Sequence, residues 1–458
     1  MSNSPLHRRQ FLLQSGLGSL ALGTLLAEET QRAAKPHFAP SADSIIYLFM
    51  AGGPSQVDTF DPKPELTKLA GKDVPESLAR AVPRIKRAGL KNLFASHWKF
   101  ARYGQSGVDI SELLPRTAGH ADELCVIRSL QHRNPVHGPS ECLALTGTAA
   151  GDRPSIGAWS LYGLGSANDN LPAFLTMNLH SDGMQFPQAA GWSAGFLPAH
   201  HQATVVDPSR GIRFTKLPEG TDTQRREREL NLIRQLNERH LKSVGPQHEL
   251  DARLRSYELA FRMQTAAPEL FDLSKETEAT RKLYGIDQPA TQSVAQGCLL
   301  ARRMVERGVR FMQVRVGGWD AHGNIKKNHT RQCVRTDQPI AALLQDLKKR
   351  GLLKRTLVVW GGEFGRTPTM EGRANGRDHS PAGYTSWLAG GGVKGGQIIG
   401  ATDPIGYVAT ERPVSIPDFH ATLLYSLGLD AHRLSYNHHG REEKPIVFGG
   451  NTVKEVFA

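Results

Sequence analysis

The stretch VRFMQVRVGGWDAHGN, residues 309–324, decides the predicted fold. A largely apolar run of strand length stops in a glycine-containing loop that carries Asp320 and His322, which is typical of a buried strand that ends at a polar edge of a sheet. The preceding segment SVAQGCLLARRMVERG, residues 293–308, has the apolar spacing of a helix. Helix followed by buried strand is the unit from which largely parallel sheets are built, so the stretch predicts an α/β fold.

The same arrangement recurs farther along the chain. The helical pattern PIAALLQDLKKRGLL leads into TLVVWGGEFGRTP, residues 356–368, in which Glu363 and Arg366 follow the apolar run. The segment GRDHSPAG, residues 376–383, then carries Asp378 and His379. Because ligands bind open α/β sheets beyond the carboxyl ends of the strands, we expect these side chains to converge at one edge.

Two earlier strands point to the same edge. SIIYLFMAGGPSQVDTFDPKP, residues 44–64, is a buried strand followed by a loop with Ser55, Asp58 and Asp61. Alternatively, the two aspartates only cap turns. LCVIRSLQ predicts a further buried strand from about Glu123 to Ser129, and His132 and His137 follow it.

Imidazole and carboxylate groups together predict a divalent metal site. Mixed nitrogen and oxygen donors suit zinc or manganese, and oxygen-rich sets suit calcium. The predicted ligands are acidic or histidine side chains that follow predicted strands: Asp58, Asp320, His322, Glu363 and His379. The guanidinium of Arg366 is suited to holding a phosphate or sulfate group. Asp378 is expected to fix the tautomer of the adjacent His379. For any one histidine alone, a structural role is the alternative.

The N-terminus predicts export. Arg8 and Arg9 precede an apolar stretch that reaches about Leu26 and is too short to span a bilayer comfortably. This pattern predicts a Tat signal in residues 1–34, the Tat translocon as a transient partner, and a periplasmic or extracellular protein. A basic N-terminal helix is the alternative. No later segment is apolar enough to cross a membrane.

Composition excludes some partners. The 458 residues carry a formal net charge of +12, but the basic residues are spread evenly and form no block interleaved with aromatics. We therefore expect no nucleic-acid partner, and a modest preference for anionic substrates. The four cysteines form no CxxC motif, although Cys125 and Cys142 could pair in an oxidising compartment.

The chain is predicted to form one large domain, residues 35–458, with a helical insertion at about 222–285. Within that insertion, QRRERELNLIRQLNERHLKS and ELDARLRSYELAFRMQ both place apolar residues at three- and four-residue spacing between charges.

Several motifs resemble the alkaline phosphatase and sulfatase superfamily. HGPSECLALTG is similar to the sulfatase signature C-x-P-S-R-x-x-x-L-T-G, and VVWGGEFGR resembles a strand that ends in Asp-His-Gly in that superfamily. HSPAGYTSWLAGG resembles the following loop, in which a histidine ligates metal. One branch, the Tat-exported domain-of-unknown-function family number fifteen-oh-one, resembles the chain nearly end to end through FMAGGPSQVDTFDPKP, GGWDAHGN, GGEFGRTP, GRDHSPAG and DFHATLLYSLGLD.

The resemblance implies a fold and an activity. The fold would be an alkaline-phosphatase-like three-layer sandwich with a largely parallel central sheet. The activity would be metal-assisted hydrolysis of phosphate or sulfate esters, including those of sulfated or phosphorylated glycans. Ser55 or a metal-bound water would be the nucleophile, His132 or His137 the acid or base, and Arg366 the anion-binding group.

The chain also departs from the superfamily pattern. His137 stands where a sulfatase has the cysteine that becomes formylglycine, and Glu141 stands in place of the signature arginine. Glu363 and Phe364 replace an Asp-His pair, and Ala51 replaces the first-strand aspartate. These departures favour a rebuilt site with one metal or none. A non-catalytic exported binding protein that retains the fold is the alternative function.

Overall fold

The computed structural model describes residues 35–82, 89–168, 170–179, 188–212, 223–244, 257–259, 261–263, 269–372 and 374–457. In chain order its strands are β1 (Ser44–Met50), β2 (Phe100–Tyr103), β3 (Val108–Ser111), β4 (Leu124–Gln131), β5 (Phe174–Leu179), β6 (Thr204–Asp207), β7 (Gly211–Ile212), β8 (Phe311–Val316), β9 (Thr356–Gly361), β10 (Gly365–Arg366), β11 (His379–Ser380), β12 (Tyr384–Ala389), β13 (Gln397–Ile399), β14 (Ala401–Thr402), β15 (Ala409–Glu411), β16 (Val414–Ser415), β17 (Tyr436–His438) and β18 (Arg441–Glu443).

The α-helices are α1 (Gln56–Thr59), α2 (Pro64–Lys68), α3 (Glu76–Ala79), α4 (His137–Thr146), α5 (Ile156–Leu164), α6 (Thr223–Val244), α7 (Glu278–Tyr284), α8 (Gln292–Val305), α9 (Ile325–Lys349) and α10 (Ile416–Ser426). Helix α9 begins earlier than the predicted segment at residue 339. Asn324 caps it by accepting the Lys327 N–H, and Pro339 lies inside it.

One large sheet organises the molecule. Its strand order is β13-β4-β12-β9-β1-β8-β5-β6-β7, and β16 also pairs with β4. Strand β1 is parallel to both β8 and β9, and β8 is parallel to β5. Strand β12 is antiparallel to its neighbours β4 and β9. The carboxyl ends of β1, β4, β8 and β9 therefore lie at the same edge as the start of β12.

Helices cover both faces of the sheet. Along β1, Ile46 and Leu48 pack into a core that includes residues of α8 and α9, whereas Tyr47 and Phe49 pack into a second core with residues of α4, α5 and α10. This alternation is the period-two pattern of a strand that is buried on both faces. The predicted α/β class, with a largely parallel central sheet, is confirmed.

Other sequence predictions are tested only partly by the described residues. The predicted insertion contains α6, a 3-10 turn at Leu273–Lys275 and α7. Most of its second amphipathic segment lies outside the described residues. The predicted signal, residues 1–34, also lies outside them. In the described part of the chain, every helix is too short or too polar to cross a membrane. All four cysteines are buried and unbonded, including Cys125 and Cys142.

Candidate metal centre

Loops at one edge of the sheet supply the candidate site. Asp320 and His322 follow β8, Glu363 follows β9, and His137 opens α4 after β4. His379 belongs to β11, which pairs with β10 so that His379 lies opposite Arg366. The edge thus brings together side chains that are far apart in the sequence, as the strand-end argument predicted.

Three imidazoles surround one carboxylate oxygen. The Oδ1 atom of Asp320 lies 3.4 Å from Nε2 of His137, 3.1 Å from Nε2 of His322 and 3.5 Å from Nε2 of His379. One ligand atom from each of these four residues lies within 4.8 Å of the others, which makes them a group that could hold a metal ion. Three nitrogen donors and one oxygen donor suit zinc or manganese.

A separate acceptor holds the other ring nitrogen of each histidine. Nδ1 of His137 lies 2.7 Å from Oε1 of Glu363, and Nδ1 of His379 lies 2.6 Å from the Pro135 carbonyl oxygen. Nδ1 of His322 contacts the Glu371 carboxylate. Because carboxylate and carbonyl oxygens only accept, each Nδ1 carries the proton, and in the neutral ring the Nε2 lone pair faces Asp320.

The ionisation of these groups is strongly coupled. Burial opposes the charged form of His137, but the adjacent carboxylates of Asp320 and Glu363 outweigh burial and raise its pKa to about 9. The pKa of Asp320 is held well below its usual range, because the neighbouring imidazoles of His137 and His379 and the charge of Arg366 outweigh burial. Burial lowers the pKa of His379. In this structure the positive charge of protonated His137 balances the carboxylates of Asp320 and Glu363. A bound cation would provide the same positive charge.

The Arg366 guanidinium is fully buried next to Asp320. It donates to Asp320 Oδ1 at 2.7 Å, to the Gly53 carbonyl at 3.0 Å, to the Arg377 carbonyl at 3.1 Å and to the Gly52 carbonyl. These contacts use the donors of Arg366, the side chain that the sequence analysis suggested would hold a phosphate or sulfate group.

Gly52 permits this close packing between the loops after β1 and β8. Its φ is +108°, and a Cβ there would lie 2.3 Å from the Asp320 nitrogen. Its N–H donates to Oε1 of Glu363 at 2.8 Å. Any larger residue would therefore strain the backbone and push Asp320 away.

Ser55 and Asp58 belong to a neighbouring buried network. Ser55 Oγ donates to Asp58 Oδ2 at 2.6 Å, and Arg377 Nε donates to the same oxygen at 2.8 Å. The Ser55 N–H donates to Nε2 of His329 at 2.9 Å. Burial raises the pKa of Asp58, but the Arg377 charge outweighs it, so the net shift is downward. Asp58 lies outside the group of four ligand atoms.

His132 is held by the backbone at both nitrogens. Its Nδ1 accepts the Asn134 N–H at 3.1 Å, so its Nε2 carries the proton and donates to the Glu363 carbonyl at 2.6 Å. Burial lowers its pKa, which agrees with a neutral ring. These contacts fit a histidine that fixes the loop after β4.

Several site residues were not foreseen from the sequence, or not in these roles. Glu371 orients His322, Arg377 balances Asp58, and the Pro135 carbonyl orients His379. The prediction that Asp378 fixes the His379 tautomer is wrong, since Asp378 Oδ1 accepts the backbone N–H of His379 at 2.8 Å. Glu371 lies beyond the predicted segment TLVVWGGEFGRTP, in a glycine-containing loop without strand or helix periodicity, so no pattern marked it.

Exposure differs across the group. The Asp320 and His322 side chains are 25% and 32% exposed, whereas those of His137 and His379 are 6% and 9% exposed. Solvent therefore reaches the group from the side of Asp320 and His322.

Comparison with curated proteins finds no match. Among solved structures, the chain is similar to the lipoteichoic acid synthase LtaP from Listeria monocytogenes, with a TM-score of 0.38, 9% identity and coverage of 89% of this chain and 78% of that chain. It is similar to the PsFucS1 sulfatase from Pseudoalteromonas sp., with a TM-score of 0.32, 12% identity and coverage of 91% and 72%. It is similar to alkaline phosphatase from the Antarctic bacterium TAB5, with a TM-score of 0.34, 12% identity and coverage of 84% and 98%.

Nearly the whole sequence matches the family that its motifs resemble. The family described as Protein of unknown function (DUF1501) matches residues 42–457, and the chain belongs to that family.

Proposed function

We propose that this protein binds a divalent transition metal between His137, His322, His379 and Asp320, and that it hydrolyses phosphate or sulfate esters. The observation that supports this best is the convergence of three Nε2 atoms on one carboxylate oxygen, with every Nδ1 already held by an acceptor. Metal-binding histidines almost always have such a partner on the second nitrogen.

The spacing of the ligand atoms fits zinc. An ion about 2.0–2.1 Å from four tetrahedral ligands separates neighbouring ligands by roughly 3.3 Å. The three Nε2 atoms lie 3.4, 3.1 and 3.5 Å from Asp320 Oδ1. The three nitrogen-to-oxygen separations are therefore already near those that the ion requires.

When bound, the ion would polarise an ester oxygen as a Lewis acid and lower the pKa of water. Arg366 holds the Asp320 carboxylate in place, and Glu363 holds the His137 ring. Water suits the role of nucleophile better than Ser55, whose buried hydroxyl donates to Asp58. We therefore assign His137 to ion binding rather than to acid–base catalysis, and His132 to fixing its loop.

The substrate class follows from charge and access. The open side lies at Asp320 and His322, and the net charge of +12 favours an anionic partner. We propose phosphate or sulfate monoesters as substrates, with glycan-borne esters among them. We also propose that residues 1–34 direct export through the Tat translocon to the periplasm or the cell exterior.

A non-catalytic role is the second candidate. Four protein ligands around one zinc ion is the usual number in structural sites, whereas catalytic sites keep three and an open position. On this alternative the ion would only hold the loops together. The exposed side at Asp320 and His322 would then bind an anionic ligand without hydrolysing it.

The test is metal analysis of the exported, folded protein together with turnover of nitrophenyl phosphate and nitrophenyl sulfate. We expect stoichiometric metal and hydrolysis of one ester, both lost in an Asp320→Ala, His322→Ala double variant. His439→Asn is the matched control, because His439 is exposed and lies outside the group. Metal without turnover favours the non-catalytic role, and absence of metal contradicts both.

A further inference from the structure

We propose a second cation site beside the first, formed by Glu371, Asp378 and Nδ1 of His322. The imidazole of His322 lies between two sets of carboxylates. Its Nε2 is 3.1 Å from Asp320 Oδ1, and its Nδ1 contacts Glu371 and lies 3.9 Å from Asp378 Oδ1. One ligand atom from each of these three residues lies within 4.8 Å of the others.

The Asp378 carboxylate gives independent support for a ligand here. Asp378 is only 4% exposed, and its Oδ2 has no hydrogen-bond partner among the described residues. Its Oδ1 accepts the His379 N–H at 2.8 Å. A buried carboxylate oxygen without a partner is costly, and a cation bound to the Asp378 carboxylate would offset that cost.

The local charge balance also favours a cation. In the described ranges, neither Glu371 nor Asp378 forms an ion pair with lysine or arginine, and their shared ionic partner is His322. The nearby arginines form ion pairs with other carboxylates, since Arg377 pairs with Asp58 and Arg366 pairs with Asp320. Two carboxylates thus face one imidazole.

The backbone holds these side chains in one fixed arrangement. Asn324 and Ile325 donate to the carbonyls of Ala374 and Asn375 at 2.7 and 2.9 Å, and Arg377 donates to the Ala321 carbonyl at 3.0 Å. A Cβ at Gly376 would lie 2.1 Å from the His322 oxygen, so only glycine permits this approach. The loop with Glu371 and Asp378 is therefore joined directly to the segment with His322.

The donor set defines the class of cation. Two carboxylates and one imidazole suit Mn²⁺ or Zn²⁺ better than the all-oxygen preference of Ca²⁺. To bind this cation through Nδ1, His322 would release its Nδ1 proton to solvent, and with the first ion at Nε2 the ring would then be an imidazolate shared by both ions. The second ion would add positive charge at the open side of the site, where an anionic ester approaches.

This inference rests on the proposed function only in that His322 also serves the first ion. The test is equilibrium dialysis of the full chain against Zn²⁺ alone and against Mn²⁺ alone, followed by metal analysis. We expect two equivalents per chain in the wild type and one in each isosteric variant, Glu371→Gln and Asp378→Asn. Glu442→Gln is the matched control, because Glu442 is exposed and belongs to neither group.

A spectroscopic readout distinguishes a bridged pair from two separate ions. Electron paramagnetic resonance of the Mn²⁺-loaded wild type should show exchange coupling, which Asp378→Asn should abolish while one ion stays bound. One equivalent in the wild type, or two that persist in both variants, would overturn the second site and leave the first intact. No bound metal in the wild type would overturn both.

Discussion

One oxygen of Glu363 joins two other segments of the site. Its Oε1 accepts from Nδ1 of His137 at 2.7 Å and from the Gly52 N–H at 2.8 Å. Glu363 is fully buried, and hydrogen bonding and charge from His137 outweigh the effect of burial, so its pKa is lowered. The chain thus keeps a carboxylate after β9 that orients a candidate ligand rather than standing within the group of four.

Replacement of Glu363 should weaken metal binding without removing a ligand. Glu363→Ala leaves Nδ1 of His137 without its acceptor, so we expect zinc affinity to fall about 10- to 100-fold, the usual cost of losing such a partner. Glu363→Gln retains an acceptor and should lose less. Competition with a chromogenic chelator measures both. Equal affinity in all three proteins would show that Glu363 does not orient the ligand.

Replacement of Asp58 separates a structural role from a metal-binding role. Asp58→Asn breaks the buried pair with Arg377, so we expect the free energy of unfolding to fall by about 3 kcal/mol or more. The metal content should not change. Urea unfolding and metal analysis test this, with Glu76→Gln of the exposed Arg80–Glu76 pair as control. That control should change stability by less than about 1 kcal/mol. Loss of metal in Asp58→Asn would instead support Asp58 as a ligand.

Arg366→Lys should be far from conservative. A lysine ammonium cannot reproduce the planar fork that serves three carbonyls and Asp320 at once. We expect a loss of about 3 kcal/mol or more in unfolding free energy, because buried acceptors lose their donors. Zinc affinity should fall in the same variant, since Asp320 is no longer held. Unchanged affinity in a folded variant would contradict this positioning role.

His420 predicts a specific pH dependence of stability. It is buried in α10, its Nε2 donates to the Ala144 carbonyl at 2.7 Å, and burial lowers its pKa from 6.5 to about 4. Because the folded pKa lies below the unfolded one, its contribution is complete above about pH 6.5 and is lost as the pH falls towards about 4. The loss should reach roughly 3 kcal/mol. Unfolding free energies across this window, compared with His420→Gln, measure it; identical slopes would refute it.

The sequence was sufficient to place several chemical groups at one edge. Apolar runs that stop at Asp320 and at Glu363 imply parallel strands, and parallel strands share a carboxyl edge. His379 lay close enough in sequence to join them. The pattern could not predict side-chain direction, because the turn after a strand can direct a side chain either towards the metal position or towards the residues that support the ligands. That is why Glu363 was predicted as a ligand, whereas its carboxylate holds His137.

Long-range partners were hidden for the same reason. The role of His137 depends on α4 beginning at that residue, and the local sequence equally suggested an acid or base. Glu371 faces His322 only because backbone bonds join its loop to the start of α9. Arg366 looked like an anion-binding group, since nothing in its neighbourhood showed that the carbonyls of Gly52 and Gly53 would surround it. Such contacts are set by the packing of loops that no periodicity describes.

The reversed direction of β12 has a consequence for how this edge can vary. In a sheet of wholly parallel strands, each return to the edge requires a crossover helix. Here the chain leaves β9 after Gly361 and enters β12 at Tyr384 at the same edge, so the connecting segment, which we call the strap, has both of its ends in the large sheet. Insertions or deletions in this strap would remodel the entrance while the strand register beneath stays fixed.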